Sequence, residues 1–141
     1  MRRAFTTPLT ALVVAAGLLL SGCATEDTKK DPAPSPGTVG VDLVYLNHPP
    51  VKPVLEDIDK VLDTYEGKVT VFRHDADTAD GKDFAAGHDL TGHVMIAVLI
   101  DGKVRFRGFP IGRAPMKAAE GDWRMDDLDR ALKERTEGGT S

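Results

Sequence analysis

Val41-Asp42-Leu43-Val44-Tyr45-Leu46-Asn47, followed at once by His48-Pro49-Pro50-Val51-Lys52, decides the architecture of this chain. The first stretch is nearly continuous in apolar character, as in a central strand buried on both faces. The two prolines end it. They also suit the start of a helix, where their missing N–H groups would be unpaired anyway. The helix is read over residues 51–66. Val54, Leu55, Ile58, Val61, Leu62 and Tyr65 recur at helical spacing and make one apolar face. Glu56, Asp57, Asp59, Lys60 and Asp63 take the other, and Gly67 is a natural stop.

Working outward, Lys68-Val69-Thr70-Val71-Phe72-Arg73-His74 reads as a second strand and residues 75–81 as an acidic loop. A short helix is expected over 82–88. Residues 94–100 form an apolar strand, and Asp101-Gly102 is a strong hairpin signal leading to an outer strand over 103–109. A last helix is expected over 123–135, capped by Asp122, with Met125, Leu128 and Leu132 turned inward. The order is β-α-β-α-β-β-α. Strands joined by a helical crossover run parallel, and the hairpin is antiparallel. The expected fold class is therefore α/β, a mixed four-stranded sheet flanked by helices.

That order, together with local sequence, resembles the thioredoxin family. Val41-Asp42 through His48-Pro49-Pro50-Val51-Lys52 is similar to V-D-F…W-C-G-P-C-K. Tyr65-Glu66-Gly67-Lys68-Val69-Thr70-Val71 is similar to Y-x-G-K-L-T-V. Leu90-Thr91-Gly92-His93-Val94-Met95 resembles I-R-G-I-P-T, and Asp101-Gly102-Lys103 resembles N-G-K. The resemblance spans residues 41–135 and implies a thioredoxin-like domain.

The departures fall on the chemistry. His48 and Val51 stand where the family has its two cysteines, and Val94 where it has a cis-proline. Thiol–disulfide exchange needs an attacking thiolate and a resolving thiol. The domain has neither, which disfavours thiol oxidoreductase activity and leaves no catalytic residue to name. A non-proline cis bond costs about 2.5–4 kcal/mol, so a trans backbone is expected at Gly92-His93-Val94. Asp42 stands where thioredoxins place a buried aspartate that assists the cysteines. Here it is either a relic or a solvated strand start.

The replaced site still carries a candidate binding groove: His48, Pro49, Pro50, His93 and Val94. A copper site of His48, His93 and Met95 is one use of it, because imidazole and thioether suit a soft metal. Two surface histidines that bind nothing is the favoured alternative, since a convincing third or fourth ligand is lacking. No cofactor is expected. His74 and His88 show no partner pattern and read as surface residues near loop ends. Residues 75–81 fail as a calcium loop, since the fifth, sixth and twelfth positions counted from Asp75 are Ala79, Asp80 and Ala86, and read instead as a solvated turn and helix cap. Tyr45, Phe72, Phe84, Phe106 and Trp123 read as core or hairpin-face residues.

Upstream, Arg2 and Arg3 precede a short apolar run, and Leu20-Ser21-Gly22-Cys23 closes it. The run is shorter than the roughly 20 apolar residues of a membrane span. It resembles a bacterial lipoprotein signal, residues 1–22, with Cys23 the lipidated residue. An ordinary secretory signal and an uncleaved anchor are the alternatives. Arg2-Arg3-Ala4-Phe5 has a weaker likeness to a twin-arginine export motif. Residues 23–40 then read as a polar, proline-rich tether, and 136–141 as a disordered tail. Cys23 is the chain's one cysteine, so lipidation would leave no free thiol.

The net charge is −4, with 18 basic and 22 acidic residues. Loss of Arg2 and Arg3 with the signal would leave 16 basic against 22 acidic, a net −6. That balance argues against nucleic-acid binding and against electrostatic adhesion to anionic lipid. The expectation is an envelope lipoprotein held to the bilayer through Cys23, outside the cytoplasm. Its redox-inactive domain would bind a protein or peptide partner. An accessory role in a thiol-redox or cytochrome-maturation pathway is the enzyme-linked alternative.

Overall fold

The computed structural model describes residues 33–113 and 121–138. Cys23, the apolar run before it and most of the tether lie outside the described residues. So does the end of the C-terminal tail. The elements run β1 (Val39–Tyr45), α1 (Lys52–Asp63), β2 (Val69–Asp75), α2 (Ala79–Gly87), β3 (Ile96–Ile100), β4 (Lys103–Arg107) and α3 (Met125–Glu137). Among the described residues no helix is long and apolar enough to cross a membrane.

The sheet is four-stranded and mixed, in the order β2-β1-β3-β4. β1 runs parallel to β2 and antiparallel to β3, and β3 is antiparallel to β4. With helices on both faces this is a thioredoxin-like α/β fold. Side chains alternate along a strand, and β1 uses both faces. Val41 and Leu43 enter one apolar cluster with α1 and α3, while Val44 enters a second with Phe84 and Ala85 of α2. Every residue of β3 is buried, as expected where both faces are covered.

α1 buries Val54, Ile58 and Leu62, and α3 buries Leu128 and Leu132. Burying each such side chain stabilises the fold by about 1.5–3 kcal/mol. Trp123 packs on Phe106 with ring centroids 5.0 Å apart, and its indole N–H donates to the Gly108 carbonyl at 3.1 Å. Asp101 and Gly102 both have positive φ, 50° and 71°, as the tight hairpin turn requires.

Several boundaries differ from expectation for identifiable reasons. Pro49 and Pro50 do not begin α1. They form an exposed turn in which Val51 N–H donates to the His48 carbonyl at 3.0 Å, and the proline in the helix's first turn is Pro53. α2 begins at Ala79 because Thr78 caps it, its hydroxyl accepting from Gly81 N–H at 3.1 Å. α3 begins at Met125, so Asp122 is not its cap. Asp127 instead reaches back to accept from Arg124 N–H at 2.7 Å. Val94 and Met95 precede β3, Val39 and Gly40 join β1, and α3 continues through Glu137.

Candidate functional site

β1, the β2–α2 connection and the loop before β3 meet at one end of the sheet. There they enclose a groove of about 430 Å³. Its floor is apolar, formed by Val44, Leu46, Leu90 and Val94, all of them buried. Its rim is polar: His48, Asp77, Lys82 and His93. In α/β sheets such crevices lie beyond the carboxyl ends of parallel strands. Here the relevant ends are Tyr45 of β1 and Asp75 of β2.

Local contacts hold three of these rim residues, Asp77, His48 and His93. Asp77 N–H donates to the Asp75 carboxylate at 2.9 Å, and the Asp77 carboxylate accepts from Asn47 N–H at 3.3 Å. The same carboxylate stands 3.5 Å from His48 Nε2, both side chains being about half exposed. His93 is the middle residue of a tight turn in which Val94 N–H donates to the Gly92 carbonyl at 3.0 Å, and Gly92 has φ 84°. Leu46 N–H donates to the Met95 carbonyl at 3.1 Å, which ties that turn to β1. All described peptide bonds are trans, including those at Gly92-His93-Val94.

The groove therefore brings His48, His93 and Val94 together. Pro49 and Pro50 lie on the exposed turn beside it. Met95 does not join them, because it packs against the α1 and α3 cluster on the other side of the sheet. His48 and His93 thus lack the thioether of the copper arrangement. Among the described residues no group of three or more histidine, cysteine or acidic side chains is placed to hold a metal ion. Asp77 and Lys82 were not singled out from sequence. Their one signal was position in and after the acidic loop.

Beneath α2 lies a second polar arrangement, where the sequence suggested only surface histidines. Asp42 faces His74 across the β1–β2 pair, Oδ1 to Nε2 at 2.9 Å, and both side chains are nearly buried. Phe84 stacks on the His74 ring at 3.5 Å with planes 9° apart, and His88 packs on Phe84 at 4.3 Å. His88 Nδ1 lies 3.0 Å from the Phe84 carbonyl. Asp42 and His74 are thus neither solvated nor idle. They satisfy one another inside a semi-apolar layer, where an unpaired polar group is costly. This position holds a structural pair that docks α2.

Fold and site together define a thioredoxin-like domain whose groove is lined by imidazoles, a carboxylate and an amine in place of a thiol pair. Compared with known proteins, the chain matches no family model and no characterised sequence.

Proposed function

We propose that this chain is a membrane-anchored extracytoplasmic lipoprotein whose thioredoxin-like domain binds a protein or peptide partner in the groove between His48 and His93. The observation that carries the binding role is the groove itself. It joins an apolar floor to a rim bearing both charge signs, which suits an extended segment that inserts an apolar side chain and pairs its polar groups at the edge. The anchor reading rests on Leu20-Ser21-Gly22-Cys23 after its apolar run. The non-catalytic reading rests on the absence of any cysteine after Cys23, since disulfide exchange has no nucleophile without one.

A photo-crosslinking residue placed at His93 in the full chain, expressed in a bacterial envelope, tests the groove. Adducts of defined mass at His93, absent when the same probe replaces Lys103 on β4, support binding there. Equal labelling at both positions removes the groove from consideration. Insulin reduction by the purified chain should stay at background. A clear rate would overturn the non-catalytic reading.

A further inference from the structure

Among the described residues β2 is an outer strand of the sheet, and the edge it turns away from β1 is self-complementary. Val39 N–H donates to the Lys68 carbonyl at 2.9 Å, and Ala76 N–H to the Tyr45 carbonyl at 2.8 Å. Backbone groups alternate in direction along a strand. Thr70, Phe72 and His74 therefore point theirs at β1, while Val69, Val71, Arg73 and Asp75 point theirs outward.

Two of the outward groups are already used. Val69 N–H donates to the Tyr65 carbonyl at 3.2 Å, and the Asp75 carbonyl accepts from Thr78 N–H at 3.0 Å. What remains, without a backbone partner among the described residues, is the N–H of Val71, Arg73 and Asp75 and the C=O of Val69, Val71 and Arg73.

The two edges of the sheet are guarded differently. β4 exposes Lys103, Arg105 and Arg107, and a register shift leaves Arg105 with no opposite residue. Charge and irregularity of that kind discourage edge pairing. β2 has no lysine, no proline and no register shift against β1. Its one cation, Arg73, is drawn to Asp59 of α1. Val71 and Phe72 are partly exposed, and both favour a strand.

We propose that β2 pairs antiparallel with β2 of a second copy about a two-fold axis through Phe72. In that register Val71 lies opposite Arg73 of the other copy, and each donates to the other. Asp75 N–H donates to the opposite Val69 carbonyl. The two groups already used, Val69 N–H and the Asp75 carbonyl, are the ones that fall opposite one another. Every remaining outward donor meets a remaining acceptor, and no like charges face each other. Sliding one way sets Arg73 against Arg73. Sliding the other way leaves Asp75 N–H and the Arg73 carbonyl unmatched. On the α2 face the register sets Phe72 against Phe72 as a close, non-hydrogen-bonded aromatic pair. This surface is separate from the groove, so the proposal stands or falls independently of the binding role.

The test uses the full chain carrying Cys23→Ser, in mild detergent. Sedimentation velocity should show reversible dimerisation between about 5 and 500 μM, the range of a small interface. Val71→Pro removes an outward N–H that β1 does not use, and it should shift the chain to monomer. Non-hydrogen-bonded partners have Cα atoms about 4.5 Å apart, within disulfide reach. Phe72→Cys should therefore cross-link rapidly on mild oxidation. Arg73→Cys should not, because the same register holds its copies about 8 Å apart. A monomer throughout the concentration range overturns the proposal. So does a Val71→Pro chain that still dimerises, or an Arg73→Cys chain that cross-links as fast as Phe72→Cys.

Discussion

The Tyr65 hydroxyl donates to Asp129, lying 2.9 Å from both its main-chain carbonyl and its carboxylate oxygen. This contact joins the turn after α1 to the middle of α3. Burial, joined by the Asp129 hydrogen bond and carboxylate and by a smaller contribution from Glu137, raises the Tyr65 pKa to about 12.

A pH dependence follows from that shift. The unfolded tyrosine ionises near its ordinary value of 10.0 and the folded one near 12. The contribution to stability is therefore fully present below pH 10. It is lost as pH rises from 10 toward 12, because the unfolded chain gives up its proton first. Urea midpoints measured at steps across that window should fall more steeply for the parent chain than for Tyr65→Phe. At neutral pH the same substitution should cost about 1 kcal/mol. Parallel pH curves for the two chains would show that Tyr65 carries no part of the alkaline loss.

Asp42 and His74 should behave as a coupled pair. Asp42→Ala leaves His74 without its partner in a nearly buried site, at a cost of about 1–3 kcal/mol. His74→Ala should cost a similar amount, with the Phe84 stacking lost as well. The double variant should be less destabilised than the sum of the two, as expected for residues in contact. Simple additivity in a chemical-denaturation cycle would contradict the pairing.

Two glycines of α2 should respond in opposite directions. A Cβ at Gly81 would lie 2.0 Å from the Asp75 carbonyl oxygen. Gly81→Ala should therefore force the helix start away from β2, costing about 1–3 kcal/mol. Nothing lies within 4 Å of a Cβ at Gly87, and Gly87→Ala should raise stability by up to about 1 kcal/mol through helix propensity. Thermal melts of both variants decide the matter. A neutral Gly81→Ala would mean that the α2 start is loosely held.

Groove function and fold should separate. His48 and His93 are exposed, so replacing both with alanine should change stability by less than about 0.5 kcal/mol while weakening capture of the groove partner. Cys23→Ser should likewise leave the melting curve unchanged, yet move the chain from the membrane to the soluble fraction. Membrane retention of that variant, seen by fractionation and metabolic lipid labelling, would count against the anchor.

Most of the fold was legible because periodicity survives in a single sequence. The strand at Val41 and the helical stripe from Val54 to Tyr65 announce themselves through spacing alone. The Asp101-Gly102 turn does so through backbone preference. What was not legible depends on register. Asp42 and His74 are distant in sequence and polar in isolation. Only the β1–β2 pairing, which sets Asp42 beside Phe72 and Val44 beside His74, shows that both lie under α2. Asp77 was not legible for a related reason, since its loop looked solvated until the contact of its carboxylate with Asn47 was known, and Lys82 read only as the start of a short helix. A helix cap was legible in residues 75–81, but that Thr78 supplies it shows only in the Gly81 N–H it satisfies.

The short turn before β1 has a mechanical meaning. Ser35 N–H donates to the Thr70 hydroxyl at 3.2 Å, and Thr38 bonds the same hydroxyl. The chain then enters β1 directly. A domain held from its N-terminal side would feel any pull along the axis of β1, the strand that pairs with β2 on one flank and β3 on the other. Ladder hydrogen bonds lie across that direction, so they share the load together and resist in shear, where a peripheral strand would peel away one bond at a time. Attachment at this point would apply tension along the sheet's most resistant direction, so a domain tethered there could be dragged without being unravelled.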